Sequence, residues 1–190
     1  MNIISRAMWR ALPPNHHVHD EQGLFDSKKN RGGWLVYDPP LDQVLRTLVI
    51  HHSALAPTFG AAQIQRLHIE QRGFADIAYH FVIDSDGKIF EGRDIHVRGA
   101  HVAGANTGSV GVVLLGNFEE AASPESQLRA LHDLTDHLRL AYPGITHLAG
   151  HHDFNQDSVC PGAHLYPLLK NFANDHQLHY GTLGYHPPNY

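Results

Sequence analysis

The chain has 190 residues, of which 42% are apolar, so it is long enough to fold as one domain around a sizeable hydrophobic core. Its formal charge is -5 at pH 7, and because nonspecific nucleic-acid binding requires clustered basic side chains, this balance argues against a nucleic-acid partner. No run approaches the roughly 18 apolar residues of a membrane span, so we expect no membrane partner either.

The N-terminal part of the chain carries no recognisable targeting pattern. The first ten residues lack the basic-then-apolar sequence of a signal peptide, so we expect synthesis in the cytoplasm, with release or another export route needed for any external target. Residues 11–44 are rich in proline, glycine, histidine and charge, and they predict a long surface segment.

From residue 45 the pattern predicts alternating strands and helices. The apolar, mostly β-branched run Thr47–His51 is typical of a buried strand, and residues 60–72 have helical spacing that ends at Gly73. An Asp-Gly turn predicts a hairpin, and further strands and helices follow. These elements are predicted at residues 78–91 (hairpin), 110–115 (strand), from Ser123 as N-cap to Pro143 (helix), 145–149 (strand) and from about Pro161 (helix).

This order of elements predicts a single α/β domain. We expect a central mixed β-sheet flanked by helices over residues 1–170, followed by a C-terminal tail over residues 171–190.

Histidines follow two of the predicted buried strands, and the single cysteine lies nearby. His51 ends the first strand, His151 follows the strand at 145–149, and Cys160 comes nine residues later in a loop that can fold back over the same sheet edge. Imidazole and thiolate are ligands that zinc favours, and a catalytic zinc site leaves one position open for water. The residues and their spacing alone favour ordinary core and hydrogen-bonding roles over metal binding.

Short motifs in a fixed order show what the chain resembles. They are ISRAMW at residues 4–9, VIHHSA at 49–54, AYHFVI at 78–83, DG at 86–87, EGR at 91–93, GAH at 99–101, NTGSVGV at 106–112, GHHD at 150–153 and CPG at 160–162. Together, from about Ile4 to Leu169, they resemble the zinc-dependent N-acetylmuramoyl-L-alanine amidase family, which includes phage lysozyme-type amidases and the peptidoglycan recognition proteins.

The resemblance implies Zn²⁺ as cofactor, with His51, His151 and Cys160 as its ligands. It also implies Tyr79 as a catalytic residue, whose hydroxyl orients the attacking water or stabilises the oxyanion. Ser158 stands where hydrolytic relatives often carry lysine or threonine, and we expect its hydroxyl to assist catalysis.

Three further residues are predicted substrate contacts. His101 matches a family position that lines the substrate groove, and Asn106 lies in the loop before a core strand. Arg98 offers a guanidinium that can pair with a peptide carboxylate. The alternatives are loop-stabilising hydrogen bonds for His101 and Asn106, and a solvated surface position for Arg98. His52 and His80 should face away from their neighbours, because adjacent side chains on a strand point to opposite faces.

The resemblance implies hydrolysis of the amide between N-acetylmuramic acid and L-alanine, with peptidoglycan as the partner. A phage endolysin, a recycling enzyme and an exported effector would all show this pattern. The alternative is a non-hydrolytic peptidoglycan-binding module, but binding-only relatives commonly lose the cysteine, so retention of Cys160 with Tyr79 favours the enzyme. A metal-storage or sensor role, suggested by the histidines at residues 16–19, lacks a closed site.

Overall fold

The computed structural model describes residues 1–21, 30–56 and 58–182. The strands within these ranges are β1 Ile3–Ile4, β2 Asp20–Glu21, β3 Asn30–Arg31, β4 Thr47–His52, β5 Phe81–Ile83, β6 Ile89–Glu91, β7 Ser109–Leu114, β8 His147–Gly150 and β9 His179–Tyr180. The helices are α1 Leu41–Val44, α2 Ala61–Arg66, α3 Glu125–Ala141, α4 His151–Phe154 and α5 Leu169–Asp175, with a π-helical turn at Leu67–Gln71 and a 3₁₀ turn at Tyr166–Leu168.

The centre of the molecule is a mixed sheet in the order β1-β6-β5-β7-β4-β8-β9. Strand β4 lies between β7 and β8 and runs parallel to both, whereas β5 and β6 form the predicted antiparallel hairpin. Every residue of β4 and β7 is buried, as the continuous apolar runs predicted. The predicted single α/β domain with a mixed sheet and flanking helices is confirmed.

Helix α3 covers the sheet with a buried stripe that includes Leu131, Leu134 and Leu138. The prediction that Ser123 caps this helix is wrong, because the cap position is Pro124 and the Ser123 hydroxyl donates to Gln127 Oε1 at 3.0 Å. The described helices include none that is long and apolar enough to cross a lipid bilayer.

The predicted surface segment at residues 11–44 takes part in the core. Its side chains at Glu21, Tyr37, Leu41 and Val44 are buried, and β2 pairs with β3. The surface prediction is therefore wrong for this part of the segment. Composition could not show it, because the partner that buries Glu21 lies far away in the sequence. Residues 22–29 lie outside the described part of the chain.

The predicted C-terminal tail also differs from the structure over residues 171–180. Helix α5 continues to Asp175 with Phe172 buried, and β9 then pairs in parallel with β8 at the sheet edge, with Tyr180 opposite Leu148. The rest of the predicted tail, residues 183–190, lies outside the described residues.

Candidate metal centre and its pocket

Two neighbouring parallel strands place His51 and His151 side by side. Ile50 of β4 is the register partner of Gly150 of β8. The residues that follow them, His51 and His151, therefore lie at the same edge of the sheet. The two imidazole rings lie 4.9 Å apart between centroids. The strand-end position expected from the sequence is therefore observed.

The loop after α4 brings Cys160 to the same point. Its Sγ lies 3.5 Å from His51 Nδ1, and ligand atoms of His51, His151 and Cys160 all lie within 4.8 Å of one another. The structure thus brings together the three residues that the sequence predicted as metal ligands.

A hydrogen bond to His101 orients the His51 ring. His51 Nε2 lies 3.0 Å from His101 Nδ1, so one of these two nitrogens must donate to the other. Donation from His51 Nε2 leaves a lone pair on His51 Nδ1, the nitrogen that faces Cys160. Ligating histidines usually have their second nitrogen held in this way by a neighbouring acceptor.

The electrostatics of the three side chains fit a bound cation. Burial, reinforced by neighbouring imidazoles, lowers the pKa of His51 well below its ordinary value, and burial lowers that of His151 to about 4. Both rings are therefore in the neutral form that binds metals. Burial raises the pKa of the Cys160 thiol to about 12, so a thiolate there requires a compensating positive charge. A divalent ion supplies that charge, and two imidazoles with one thiolate suit zinc.

A pocket of about 280 Å³ opens beside this group. The residues that line it include His101, His151, Ser158 and Cys160, together with Tyr79. Apolar side chains form much of the remaining lining, among them Leu55, Ile64, Leu67 and Phe74. An apolar pocket with a few convergent polar groups is the usual form of a small-ligand site.

Tyr79 lies beside the candidate metal ligands. Its ring lies 5.0 Å from that of His51 between centroids, and the residue is partly exposed in the pocket. Burial, followed by the nearby Cys160 sulfur, raises the pKa of the Tyr79 hydroxyl, so the phenol remains a protonated donor.

The remaining predicted residues occupy different places. Ser158 lines the pocket, and its Oγ accepts a hydrogen bond from the Cys160 amide at 3.2 Å. Asn106 is outside the described pocket lining. Its Oδ1 accepts hydrogen bonds from the His101 and Val102 amides at 2.8 Å each. This contact corresponds to the loop-stabilising alternative.

Arg98 is placed away from the pocket. It is buried and donates to the carbonyl oxygens of Arg31 and Gly33, so it anchors the N-terminal segment. This placement supports neither the predicted substrate contact nor the solvated surface alternative. The physical reason is that residues 30–33 fold over Arg98 and offer its guanidinium backbone acceptors.

The pocket lining also includes His68 and Arg72, which the sequence reasoning did not single out. Both lie where helix α2 widens into the π-helical turn, in which the Arg72 amide donates to the Leu67 carbonyl at 3.2 Å. His68 Nδ1 accepts a hydrogen bond from the Ala78 amide, and burial lowers its pKa to about 3. Their spacing of four placed them on one face of the predicted helix, but nothing in the sequence showed which face the pocket would meet.

The side chains of His52 and His80 make hydrogen bonds to backbone groups. His52 Nδ1 accepts a hydrogen bond from the Phe118 amide at 3.2 Å. His80 accepts one from the Gly111 amide and donates one to the Val97 carbonyl, both at 2.9 Å. His52 also lines the pocket, and Tyr79 and His80 precede β5, so the expectation that His52 and His80 face away from their neighbours stays a prediction.

Comparison with known proteins adds the family. A sequence profile described as N-acetylmuramoyl-L-alanine amidase matches residues 41–163. Peptidoglycan-recognition protein SD of Drosophila melanogaster is 30% identical over 181 residues, which cover 90% of this chain and 86% of that protein. An endolysin of Klebsiella phage KP32 is 38% identical over 121 residues, which cover 60% of this chain and 78% of the endolysin.

Among solved structures, the fold is similar to that of peptidoglycan recognition protein-LE in complex with tracheal cytotoxin, a monomeric diaminopimelic acid-type peptidoglycan. The TM-score is 0.70 at 26% identity, with 93% of this chain and 95% of that chain covered. Proteins similar to this chain thus include both recognition proteins and an endolysin.

Proposed function

The chain belongs to the N-acetylmuramoyl-L-alanine amidase family, and from this premise we propose that it is a zinc-dependent amidase that cleaves the bond between N-acetylmuramic acid and L-alanine in peptidoglycan. The observation that carries the proposal is the group formed by His51, His151 and Cys160, whose ligand atoms lie within 4.8 Å of one another beside a pocket. Peptidoglycan as the partner is supported by the likeness to a recognition protein solved with a peptidoglycan fragment.

The three ligands would hold zinc at the edge of the sheet. When bound, zinc acts as a Lewis acid that activates water and polarises the scissile carbonyl. His101 keeps the His51 ring turned so that Nδ1 faces the metal position.

Tyr79 and Ser158 supply the hydroxyl groups of the pocket. The raised pKa of Tyr79 keeps its hydroxyl protonated, so it can donate a hydrogen bond to the oxygen that gains charge in the tetrahedral transition state. The Ser158 hydroxyl accepts from the Cys160 amide, which leaves its own proton available to a substrate atom.

Arg72 is the only lysine or arginine in the described pocket lining. A guanidinium there suits the carboxylates of a stem peptide, which a glycan strand without peptide would not offer. The Arg72 guanidinium therefore favours a substrate that carries peptide as well as sugar.

A binding module without hydrolysis is the second candidate, favoured by the similarity to recognition proteins. The complete donor set and the phenol beside it support the enzyme, because binding alone requires neither a thiolate nor a protonated tyrosine at that point.

Digestion of purified peptidoglycan decides between the two candidates. Zinc-loaded protein is expected to release new N-terminal L-alanine, and a chelator is expected to abolish the release. Binding to the wall without any new amino termini would support the binding module instead. New reducing sugar ends would indicate a glycosidase. Metal analysis of a Cys160→Ser variant should show reduced zinc content.

A further inference from the structure

We propose that His152 is a positioning residue for the metal centre, which fastens the loop that carries Cys160 to helix α4, the helix that begins with His151. The inference rests on the proposed zinc site, and it concerns how the two ligand-bearing segments are held in register.

His152 makes two hydrogen bonds to the loop. Its backbone amide donates to the Cys160 carbonyl at 2.8 Å, and its ring Nδ1 lies 2.7 Å from the Ser158 carbonyl oxygen. A carbonyl only accepts, so Nδ1 must carry the proton. His152 thus donates to two carbonyls of the loop, that of Ser158 and that of the candidate ligand Cys160.

The helix that bears His152 is too short to be stable on its own and is anchored by its neighbours. Asp153 Oδ2 accepts a hydrogen bond from the Gly150 amide at 2.7 Å, and Asp153 Oδ1 accepts one from the Tyr166 hydroxyl at 2.6 Å. The ring of Tyr166 meets that of His152 edge to face, at 5.1 Å between centroids. These contacts hold helix α4, and with it His152, in place beside the loop.

His152 is also outside the described pocket lining, so it acts on the site through the loop that carries Ser158 and Cys160 and through its neighbour His151. Without the ring contact to Ser158, the loop loses one of the two bonds that join it to α4 through His152. The thiol then spends less time within reach of the two imidazoles. Loss of a residue that orients a metal ligand typically lowers metal affinity about 10- to 100-fold, and we expect an effect in that range.

The test compares His152→Ala with His152→Asn, since the asparagine Nδ2 can take the place of the ring Nδ1 as donor to Ser158. His164→Ala, at an exposed histidine outside the described pocket lining, is the matched control. The readouts are zinc affinity by competition with a chromophoric chelator, the thiolate-to-cobalt absorption of the Co²⁺ form, and melting of the metal-free protein.

We expect His152→Ala to weaken zinc binding about 10- to 100-fold and to diminish the thiolate-to-cobalt band, with KM for peptidoglycan unchanged. His152→Asn should recover most of both, and His164→Ala should match the unsubstituted protein. Unchanged zinc affinity in His152→Ala would overturn the proposal, as would a failure of His152→Asn to recover it.

If His152→Ala does not fold, His152→Gln replaces it. The glutamine amide lies one bond further from the backbone, so His152→Gln should bind zinc more weakly than His152→Asn, and equal affinities would overturn the proposal. Because zinc affinity is measured without substrate, loss of the positioning role is distinguished from a lack of amidase activity. Absence of zinc binding in the unsubstituted protein would overturn both proposals.

Discussion

Replacement of Glu21 by glutamine tests how the N-terminal segment is joined to the rest of the domain. Glu21 Oε1 and Oε2 accept hydrogen bonds from the two terminal nitrogens of Arg93 at 2.5 and 2.9 Å, and both side chains are fully buried. Arg93 also donates to the carbonyls of Ile77 and Arg98, and its amide donates to the Tyr79 carbonyl. The ion pair therefore joins residues 11–44 to the segment that precedes β5, which includes the pocket residue Tyr79.

The glutamine side chain has nearly the same shape, so the change removes charge rather than volume. It leaves the Arg93 guanidinium buried without its counter-charge. The two guanidinium nitrogens that now donate to the carboxylate would face an amide, which has one acceptor oxygen and one NH₂ donor. Breaking a buried pair by removing one partner costs about 3 to 5 kcal/mol. For a domain of this size that loss corresponds to a fall in melting temperature of roughly 6 to 20 °C.

Urea unfolding at pH 7, followed by far-UV circular dichroism, measures the loss. Glu70→Gln is the control, because Glu70 is exposed and lies in the π-helical turn. We expect it to change the unfolding free energy by less than about 0.5 kcal/mol. A loss below about 1 kcal/mol in Glu21→Gln would refute the reasoning, since that is the size of an exposed ion pair.

A double replacement separates charge from hydrogen bonding. Glu21→Met with Arg93→Met removes both charges, and buried ion pairs are often replaced by apolar side chains with little loss. The carbonyls that Arg93 now satisfies would lose their donor, so we expect recovery to be partial. A double variant less stable than Glu21→Gln would show that hydrogen bonding, not charge, dominates.

Three further predictions concern the pocket and pH. Tyr79→Phe should lower kcat about 10²- to 10³-fold with KM nearly unchanged, as expected for loss of one oxyanion donor, and equal kcat would contradict its role. Arg72→Ala should raise KM for peptidoglycan, with exposed Arg66→Ala as control, and equal KM values would exclude a substrate contact. Burial lowers the pKa of His80 to about 4 from its ordinary 6.5, so the folded protein binds this proton less readily than the unfolded chain. The stability it contributes is complete above about pH 6.5 and is lost as pH falls toward 4, by about 2 kcal/mol at pH 5. Urea unfolding at pH 7 and pH 5 should show a smaller pH dependence in His80→Gln, and an unchanged dependence would contradict the assignment.

The proximity of the two candidate histidine ligands could be predicted from the sequence because local patterns determine their positions. A β-branched apolar run that ends in His51 indicates both the strand and the sheet edge, and the short segment at residues 145–149 predicts a second strand just before His151. Parallel pairing then brings the two histidines together without information from the rest of the chain. Cys160 was a candidate from its place in the loop after His151, and the family resemblance was needed to imply it as a ligand because its approach depends on the path of that loop.

What the sequence did not reveal depends on contacts between distant residues. Glu21 resembles an exposed acid in a polar segment, and its burial depends on hydrogen bonds from Arg93, the Ala75 amide and Asn30. Arg98 likewise gave no sign that backbone carbonyls at residues 31 and 33 would enclose it. Arg72 reaches the pocket through a π-helical turn, which has no recognised signature in a single sequence.

The bond that is cleaved, and the atom that receives water, can be measured in one experiment. Zinc-loaded protein is incubated in ¹⁸O-enriched water with a soluble muramoyl peptide, and the products are analysed by mass spectrometry. The proposed amidase should place one ¹⁸O atom in the lactyl carboxylate of N-acetylmuramic acid and release a peptide with an unlabelled, free L-alanine amino terminus. The Cys160→Ser variant should give neither product. An intact muramoyl peptide, or label at a sugar reducing end, would contradict the proposed function.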